Sequence, residues 1–112
     1  MPKVLIFQLK TFYYDHFEKK IKKINKSISF DEKLKLDDSY LSPGIVSAYK
    51  NISYEIIGVI CHKGSKADEG HYICFCKDDN QIWWSLDDLK IIRVDKKTMF
   101  SYRPYMLFYQ TN

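Results

Sequence analysis

Short runs of β-branched and aromatic residues succeed one another along this chain, and Gly, Pro, Asp, Asn or Ser separates most of them. Runs of this length and composition are typical of β-strands, and their close spacing favours antiparallel neighbours. We predict strands at residues 3–10, 20–30, 53–62, 71–77, 81–87 and 102–110, of which the second is the weakest. The expected fold class is mainly β (α+β overall), an antiparallel twisted sheet that forms a half-barrel.

The two longer connections differ in character. Residues 31–44, DEKLKLDDSYLSPG, contain an acid pair and a Ser-Pro-Gly stop, which indicates an irregular connection. Residues 90–100, KIIRVDKKTMF, predict a short strand and one helical turn that Asp95 would cap. Because a chain of 112 residues with 46% hydrophobic residues is long enough for one core, we expect a single domain spanning residues 1–112.

Composition argues against several classes of function. The net charge is +4, and the lysines concentrate in residues 18–26, EKKIKKINK, without the interleaved aromatic residues that stack on nucleic-acid bases. That run predicts a solvated face and no nucleic-acid partner. No apolar run approaches the length of a membrane span, so no membrane association is expected. Three cysteines do not form an even disulfide framework, which favours reduced thiols in the cytoplasm and/or nucleus.

One short stretch, GHYICFCKDDNQIWWSLDD at residues 70–88, concentrates the reactive side chains. KDDNQ is a turn signal between two aromatic strands, which predicts a hairpin. A three-residue loop of Asp78, Asp79 and Asn80, with Asn80 left-handed, makes paired residue numbers sum to 158 and sets His71 opposite Asp87. Ile73, Phe75, Trp83 and Ser85 would share that face. A two-residue loop would pair His71 with Asp88 instead.

A histidine beside a carboxylate can be the orienting half of a catalytic triad. The carboxylate fixes the imidazole tautomer and stabilises the imidazolium that forms when the other nitrogen takes a proton. The competing interpretation is a surface pair meeting across a hairpin. Gly70 favours a functional site because a glycine lets the backbone of a ligand approach beside His71, although it also suits the end of the preceding loop.

A longer run then resembles a known family. YEIIGVICHKGSKADEGHY, residues 54–72, resembles the histidine signature of the ubiquitin-specific proteases, with Ile56 in the place of the usual leucine. LIFQLKTF resembles the strand that carries the family's LKRF motif, with Thr11 in the place of arginine. ISFDEKLKL, WWSLDD and YMLFY resemble later segments of the same domain, so the likeness covers nearly the whole chain.

This resemblance implies a fold, a chemistry and a set of roles. The chain would be the C-terminal palm lobe of a papain-like cysteine protease fold, and its partner would be ubiquitin or ubiquitin conjugates. His71 would be the general base and Asp87 its orienting carboxylate, with Asp88 as the runner-up. Gly70, Tyr72 and Trp84 would border the channel for the ubiquitin tail, under a mobile loop at residues 63–69. His62 belongs to the signature and would shape that loop, or it is a strand-end histidine that bonds to backbone.

The nucleophile is the missing part of this scheme. In the family the catalytic cysteine lies upstream, in a separate lobe. Cys74 and Cys76 alternate with His71 along a strand, which predicts that they face the other side of the sheet as small buried hydrophobes. Cys61 could approach His71 through the loop, but it lacks a helix N-terminus to lower its pKa. Zinc would need ligands from Cys61, His62, His71, Cys74 and Cys76. Their spacing does not suit a structural site, so neither a metal nor a cofactor is expected.

The leading hypothesis is therefore half of a deubiquitinating thiol hydrolase, a part that is inactive alone and needs a fragment or upstream segment bearing the cysteine lobe. A non-catalytic ubiquitin-binding module and a truncated remnant are the alternatives. A catalytic Asn and Cys box upstream of Met1 would discriminate in favour of the enzyme.

Overall fold

A computed structural model describes residues 2–24, 26, 28–44, 52–64 and 70–111 of the chain. Its strands are β1 (Val4–Gln8), β2 (Phe12–Asp15), β3 (Lys20–Lys23), β4 (Lys33–Lys35), β5 (Ser53–Lys63), β6 (His71–Lys77), β7 (Trp83–Asp87), β8 (Lys90–Val94) and β9 (Pro104–Thr111). A 3₁₀ turn spans Asp38–Tyr40, and helix α1 spans Lys96–Phe100. Neither of these helical segments of the described chain is long and apolar enough to cross a membrane.

The strands form one large sheet and a small separate hairpin. The seven-stranded sheet has the order β1-β9-β5-β6-β7-β8, with β4 pairing to β5 outside this path, and β2 pairs with β3. All these pairs are antiparallel. The antiparallel, mainly β class predicted from the spacing of the strands is confirmed. The first and last strands of the chain's C-terminal half, β5 and β9, lie side by side within this sheet, and each has a neighbouring strand on both sides.

Strand β5 carries much of the core. Its buried residues change from Tyr54 and Ile56 to Val59 and Cys61, because the pairing with β9 is irregular between Ile56 and Gly58 and so reverses the alternation. The core cluster combines these four with residues from β6, β7, α1 and β9, namely Ile73, Phe75, Trp83, Met99, Leu107 and Tyr109. The predicted common face of Ile73, Phe75 and Trp83 is therefore a core face.

The predictions for the N-terminal third were less accurate. Of the strand predicted at 20–30, the described residues contain β3, and its partner β2 was not among the predicted strands. The connection predicted to be irregular contains β4, which pairs with the start of β5. By contrast, Asp95 caps α1 as predicted, since its carboxylate accepts a hydrogen bond from the Thr98 backbone N–H at 2.7 Å.

The β6–β7 hairpin corrects the predicted register. Paired residue numbers sum to 160, as in Cys74 with Leu86 and Lys77 with Trp83, and not to 158. The loop does have three residues, but they are 79–81, and Gln81 takes the left-handed conformation in place of Asn80. Because the error is an even number, every side chain stays on its predicted face, including His71 and Asp87.

The side chain of Asp78 accounts for this shift. Its Oδ1 accepts backbone hydrogen bonds from Asn80 (2.8 Å) and Ile82 (3.0 Å), and its Oδ2 accepts one from the Trp84 indole (2.8 Å). The Trp84 bond, followed by the one from Ile82, lowers the pKa of Asp78 below its ordinary 3.8. An Asp that closes the turn in this way must precede the loop and cannot belong to it.

We predict that Asp78→Ala lowers the melting temperature by several degrees and that Asp79→Ala, an exposed change in the adjoining loop, has little effect. The pKa of Asp78 in the folded chain lies below its ordinary 3.8. The contribution of Asp78 to stability is therefore fully present above pH 3.8 and is lost as the pH falls through the folded-state pKa. The difference between the two variants should thus shrink below about pH 4. Thermal unfolding followed by circular dichroism at pH 7 and pH 3 measures it, and an equal loss in both variants would contradict the role of Asp78.

Candidate functional site

His71 and Asp87 meet at one edge of the sheet. His71 is the first residue of β6 and Asp87 is the last residue of β7, so antiparallel pairing brings these two strand ends together. Nε2 of His71 contacts Oδ1 of Asp87, and both side chains are about one-third to two-fifths exposed (42% and 33%). The register sets Asp87 two residues from direct opposition to His71, so the contact is diagonal on one face.

Asp88 is the second carboxylate at this edge. Its Oδ2 lies 3.6 Å from His71 Nε2, which is too long for a hydrogen bond, and its side chain is 81% exposed. It occupies the turn between β7 and β8 with a φ of +52°, a conformation that Asp tolerates better than most residues. Asp87, the first acid of the pair, is therefore the one that contacts the imidazole.

His62 lies near the end of β5, before the connection that leads to His71, and is only 8% exposed. Its Nδ1 lies 3.0 Å from Nζ of Lys23, which also donates to the backbone carbonyls of His62 (2.8 Å) and Gly64 (2.7 Å). Burial, followed by the charge of Lys23, lowers the pKa of His62. Among the described residues, the hydrogen-bond partner of the His62 ring is a lysine side chain and not backbone.

Gly70 packs closely against the Lys63 carbonyl and the His62 ring. Its φ is +131°, and a Cβ added there would lie 2.0 Å from the Lys63 carbonyl oxygen and 2.8 Å from Nε2 of His62. The predicted need for glycine thus has its observed cause in the protein's own backbone and in the His62 ring. Of the loop predicted at 63–69, residues 65–69 lie outside the described residues.

Aromatic rings surround His62 on the face opposite His71. The centroid of the His62 ring lies 4.9 Å from that of Tyr72 and 5.3 Å from that of Phe12. Tyr105 completes the group, at 5.6 Å from Tyr72 and 5.8 Å from Phe12. Tyr72 remains 50% exposed, so this aromatic group is open to solvent on one side.

Trp84 lies apart from the other residues that the sequence proposed for the site. It pairs with Cys76, four residues from Tyr72 along β6, which corresponds to about 13 Å of strand. Its indole N–H donates to Asp78 at the turn. The structure thus brings His62, Gly70 and Tyr72 together next to the backbone of His71, with the His62 and Tyr72 rings on the other face of the sheet from the His71 side chain. It does not bring Trp84 to them.

None of the three cysteines has the surroundings of a nucleophile. Cys61 is 1% exposed and pairs with Ile73, and burial, followed by the neighbouring Cys74, raises the pKa of its thiol to about 12. Burial also raises the pKa of Cys74 and of Cys76. These two cysteines lie on the face opposite His71 as predicted, but they are half-buried and not fully buried.

We predict that Cys61 in the folded chain resists alkylation by iodoacetamide. At pH 8 a thiol with a pKa of about 12 is a thiolate only about once in 10⁴ molecules, and burial further restricts access. Mass spectrometry of tryptic peptides after brief labelling measures this, with urea-unfolded chain as the control in which all three thiols react. Labelling of Cys61 ahead of Cys74 and Cys76 in the folded chain would contradict the prediction.

One cluster of possible metal ligands lies at the His71 site. Within the described residues, one group of three such side chains has ligand atoms within 4.8 Å of one another, and it consists of His71, Asp87 and Asp88. The cysteines and His62, which the sequence offered as zinc ligands, do not belong to it. Because Asp87 already contacts His71 and Asp88 is exposed, this group is sufficiently explained as an imidazole with two carboxylates.

Sequence reasoning missed Lys23, Phe12 and Tyr105. Lys23 was assigned to a solvated face because it stands in a run of lysines. Phe12 lies in a segment used for the resemblance, and Tyr105 was considered only as part of the predicted strand 102–110 and of the resemblance. The alternation within β3 places Lys23 on the same face as Ile21. Because Ile21 is itself 57% exposed, this alternation gave no signal that Lys23 contacts β5.

A model of the family described as ubiquitin carboxyl-terminal hydrolase matches residues 1–109. The chain is 34% identical over 109 residues to ubiquitin carboxyl-terminal hydrolase 23 of Arabidopsis thaliana and 32% identical over 109 residues to the probable ubiquitin carboxyl-terminal hydrolase 16 of Schizosaccharomyces pombe. These alignments cover 96% and 97% of this chain but only 12% and 22% of the two relatives.

Solved structures of deubiquitinating modules also match this chain. A SAGA Ubp8/Sgf11/Sus1/Sgf73 DUB module bound to ubiquitin aldehyde contains a chain that matches all of this one with a TM-score of 0.86 and 30% identity. Another structure of the SAGA Ubp8/Sgf11/Sus1/Sgf73 DUB module matches with a TM-score of 0.85 and 32% identity. This chain covers about a quarter of the matched chain in both cases, 25% and 24%. The family match, the identities and the shared fold together show that the chain belongs to the ubiquitin carboxyl-terminal hydrolase family.

Proposed function

We propose that this chain supplies the general base and the orienting carboxylate of a cysteine-type deubiquitinase, which cleaves the bond after the C-terminal glycine of ubiquitin. The observation that carries the proposal is the contact between Nε2 of His71 and Oδ1 of Asp87. Membership of the family and the likeness to a module bound to ubiquitin aldehyde support it.

The contact with Asp87 supports a separate role for each imidazole nitrogen. With Nε2–H donating to Asp87, Nδ1 carries the lone pair, and no hydrogen bond to Nδ1 is present within the described residues. Nδ1 would take the proton from an attacking thiol, and Asp87 would stabilise the imidazolium formed. The same nitrogen would then give the proton to the departing amine of the conjugate, which leaves an acyl-enzyme for water to hydrolyse.

The nucleophile must come from outside the described cysteines. Cys61 is buried with a raised pKa, and Cys74 and Cys76 lie on the opposite face of the sheet from His71. We propose that residues 1–112 form the C-terminal palm part of a protease domain. A cysteine-bearing segment or fragment would complete the domain. The small share of each relative that the chain spans supports this division.

The exposed apolar side chains fit such an incomplete domain. Ile91 and Ile92 of the edge strand β8 are more than half exposed, and so is Ile6 of the opposite edge strand β1. Edge strands with exposed apolar side chains are surfaces that proteins normally cover. Coverage by the missing segment would explain them. Action inside the cell, in the cytoplasm or nucleus, belongs to the same proposal and agrees with three unpaired thiols.

The test compares the chain alone with the chain joined to the cysteine lobe of a related protease, using release of a fluorophore from the ubiquitin C-terminus. We predict no turnover by the chain alone, because a base and its orienter cannot form an acyl-enzyme without a positioned thiol. The joined protein should turn over. Turnover by the chain alone that survives Cys61→Ser would overturn the proposal.

A binding measurement with the same proteins addresses the alternative, a non-catalytic ubiquitin-binding module. That alternative is favoured by the lack of a suitable thiol among the described cysteines and by the open group of rings around His62. It requires the chain alone to bind ubiquitin while the joined protein, folded and also binding ubiquitin, releases no fluorophore. This result would favour the ubiquitin-binding module over the enzyme.

A further inference from the structure

Lys23 ends the small β2–β3 hairpin, which is separate from the main sheet, yet its side chain is bound to the end of β5. Nζ lies 3.0 Å from Nδ1 of His62 and donates to the carbonyl oxygens of His62 at 2.8 Å and Gly64 at 2.7 Å. An ammonium group has three hydrogens and no acceptor, so these three partners use its full capacity. Lys23 therefore binds the hairpin to the point where the chain leaves β5.

The contact also determines the form of the His62 ring. Because an ammonium group can only donate, Nδ1 must accept, and the proton of the neutral imidazole is then on Nε2. Edge contacts with Phe12 and Tyr72 hold the ring in place from two sides. Lys23 thus selects one tautomer and one orientation of a buried imidazole.

The ring of His62 in turn supports the residue before His71. A Cβ on Gly70 would lie within 2.9 Å of both Nε2 and Cε1 of His62, which shows how closely the Gly70 backbone rests on this ring. The next residue is His71, which is paired across the sheet with Lys63. Two paths therefore connect Lys23 to the backbone of His71, one through the His62 ring and Gly70 and the other through the end of β5.

We propose that Lys23 is a positioning residue for His71, acting through His62 and Gly70 without touching His71 itself. The inference rests on the proposed function of His71 as the base. Charge-assisted hydrogen bonds between neighbouring elements hold a catalytic group within the narrow range of positions that proton transfer requires. Removing the ammonium should free the His62 ring and the end of β5 and displace His71 relative to Asp87.

The structure offers a matched control in Lys22, the preceding residue of the same strand. Its Nζ pairs with Asp15 at 3.0 Å and Glu18 at 2.9 Å, both within the β2–β3 hairpin. Lys22→Met removes the same charge and volume from the same hairpin, but it breaks no contact with β5. A general effect of net charge or of hairpin stability would appear in both variants, whereas positioning would appear only in Lys23→Met.

The primary measurement is NMR of the chain labelled with ¹⁵N at histidine and glycine. We expect His62 to be protonated at Nε2 in the unaltered chain and in Lys22→Met. In Lys23→Met the two tautomers should mix, and the Gly70 amide and His71 ring signals should shift. If Lys23→Met does not fold, Lys23→Arg is measured, because a planar guanidinium cannot meet three converging acceptors in the same way. Unchanged His62, Gly70 and His71 signals in a folded Lys23 variant would overturn the inference.

A second readout uses the joined protein that contains a cysteine lobe. Lys23→Met should lower kcat by about 10-fold with little change in KM, because misplacement of a base affects the chemical step more than binding. The two readouts separate the two proposals. If Lys23→Met shifts the His62, Gly70 and His71 signals but the joined protein never cleaves ubiquitin conjugates, the proposed function alone is refuted. If the joined protein cleaves them and Lys23→Met leaves these signals unchanged, the role of Lys23 alone is refuted.

Discussion

Replacing His71 by alanine is expected to abolish ubiquitin cleavage by the joined protein that contains a cysteine lobe. No other described imidazole can take over, because Nδ1 of His62 is bound to Lys23 and His16 lies in the exposed turn of the β2–β3 hairpin. Loss of a general base that also holds the nucleophile's proton lowers turnover by about 10⁴-fold or more. Since His71 is half-exposed, His71→Ala should leave the fold intact.

The two carboxylates provide the internal comparison. Asp87→Asn should reduce turnover by about 10²-fold or more, because it removes the charge that stabilises the imidazolium. Asp88→Asn should cost less than about 10-fold, since an exposed carboxylate 3.6 Å from the ring acts through a screened interaction. Fluorophore release from the ubiquitin C-terminus measures all three variants, with circular dichroism to confirm folding. A larger loss for Asp88→Asn than for Asp87→Asn would reverse the assignment of the orienting residue.

The hairpin shows how far a sequence can predict this site. Alternation along HYICFCK and WWSLD was enough to place His71 and Asp87 on one face, because alternation survives any even change of register. The register itself was wrong by two, since it depends on whether the Asp78 carboxylate closes the turn from outside the loop, and the backbone bonds that decide this are not visible in composition. The contact with Asp87 is diagonal for the same reason.

Lys23 shows where sequence reasoning reaches its limit. Within a run of lysines its type predicts exposure, and its neighbours Lys20 and Lys22 do form ion pairs inside the hairpin. The acceptors of Lys23 are 39 and 41 residues away along the chain, so its role depends on how a separate hairpin packs on β5. Tertiary contacts of this kind override the local preference of the residue. The family resemblance pointed to His62 but not to the lysine that holds it.

Replacing Gly70 by alanine is expected to destabilise the fold by about 2–4 kcal/mol, although Gly70 is an exposed residue. A φ of +131° is open to glycine and strained for any residue with a Cβ. The added methyl would also lie 2.0 Å from the Lys63 carbonyl oxygen, which belongs to a paired strand and cannot retreat without breaking its pairing with His71. Either the start of β6 separates from β5, or both strands shift, and His71 moves in both cases.

Two other glycines make this prediction specific. At Gly58, in the buried centre of β5, a Cβ would have its nearest contact at 3.5 Å from the Phe75 carbonyl oxygen, an ordinary van der Waals distance, and at Gly44 nothing lies within 4 Å. Gly58→Ala and Gly44→Ala should therefore change the free energy of unfolding by less than about 1 kcal/mol. Urea unfolding of the three variants measures the difference. A Gly70→Ala chain as stable as Gly58→Ala, with unshifted His71 signals, would show that the backbone beside the imidazole is not held as tightly as the Lys63 and His62 contacts require.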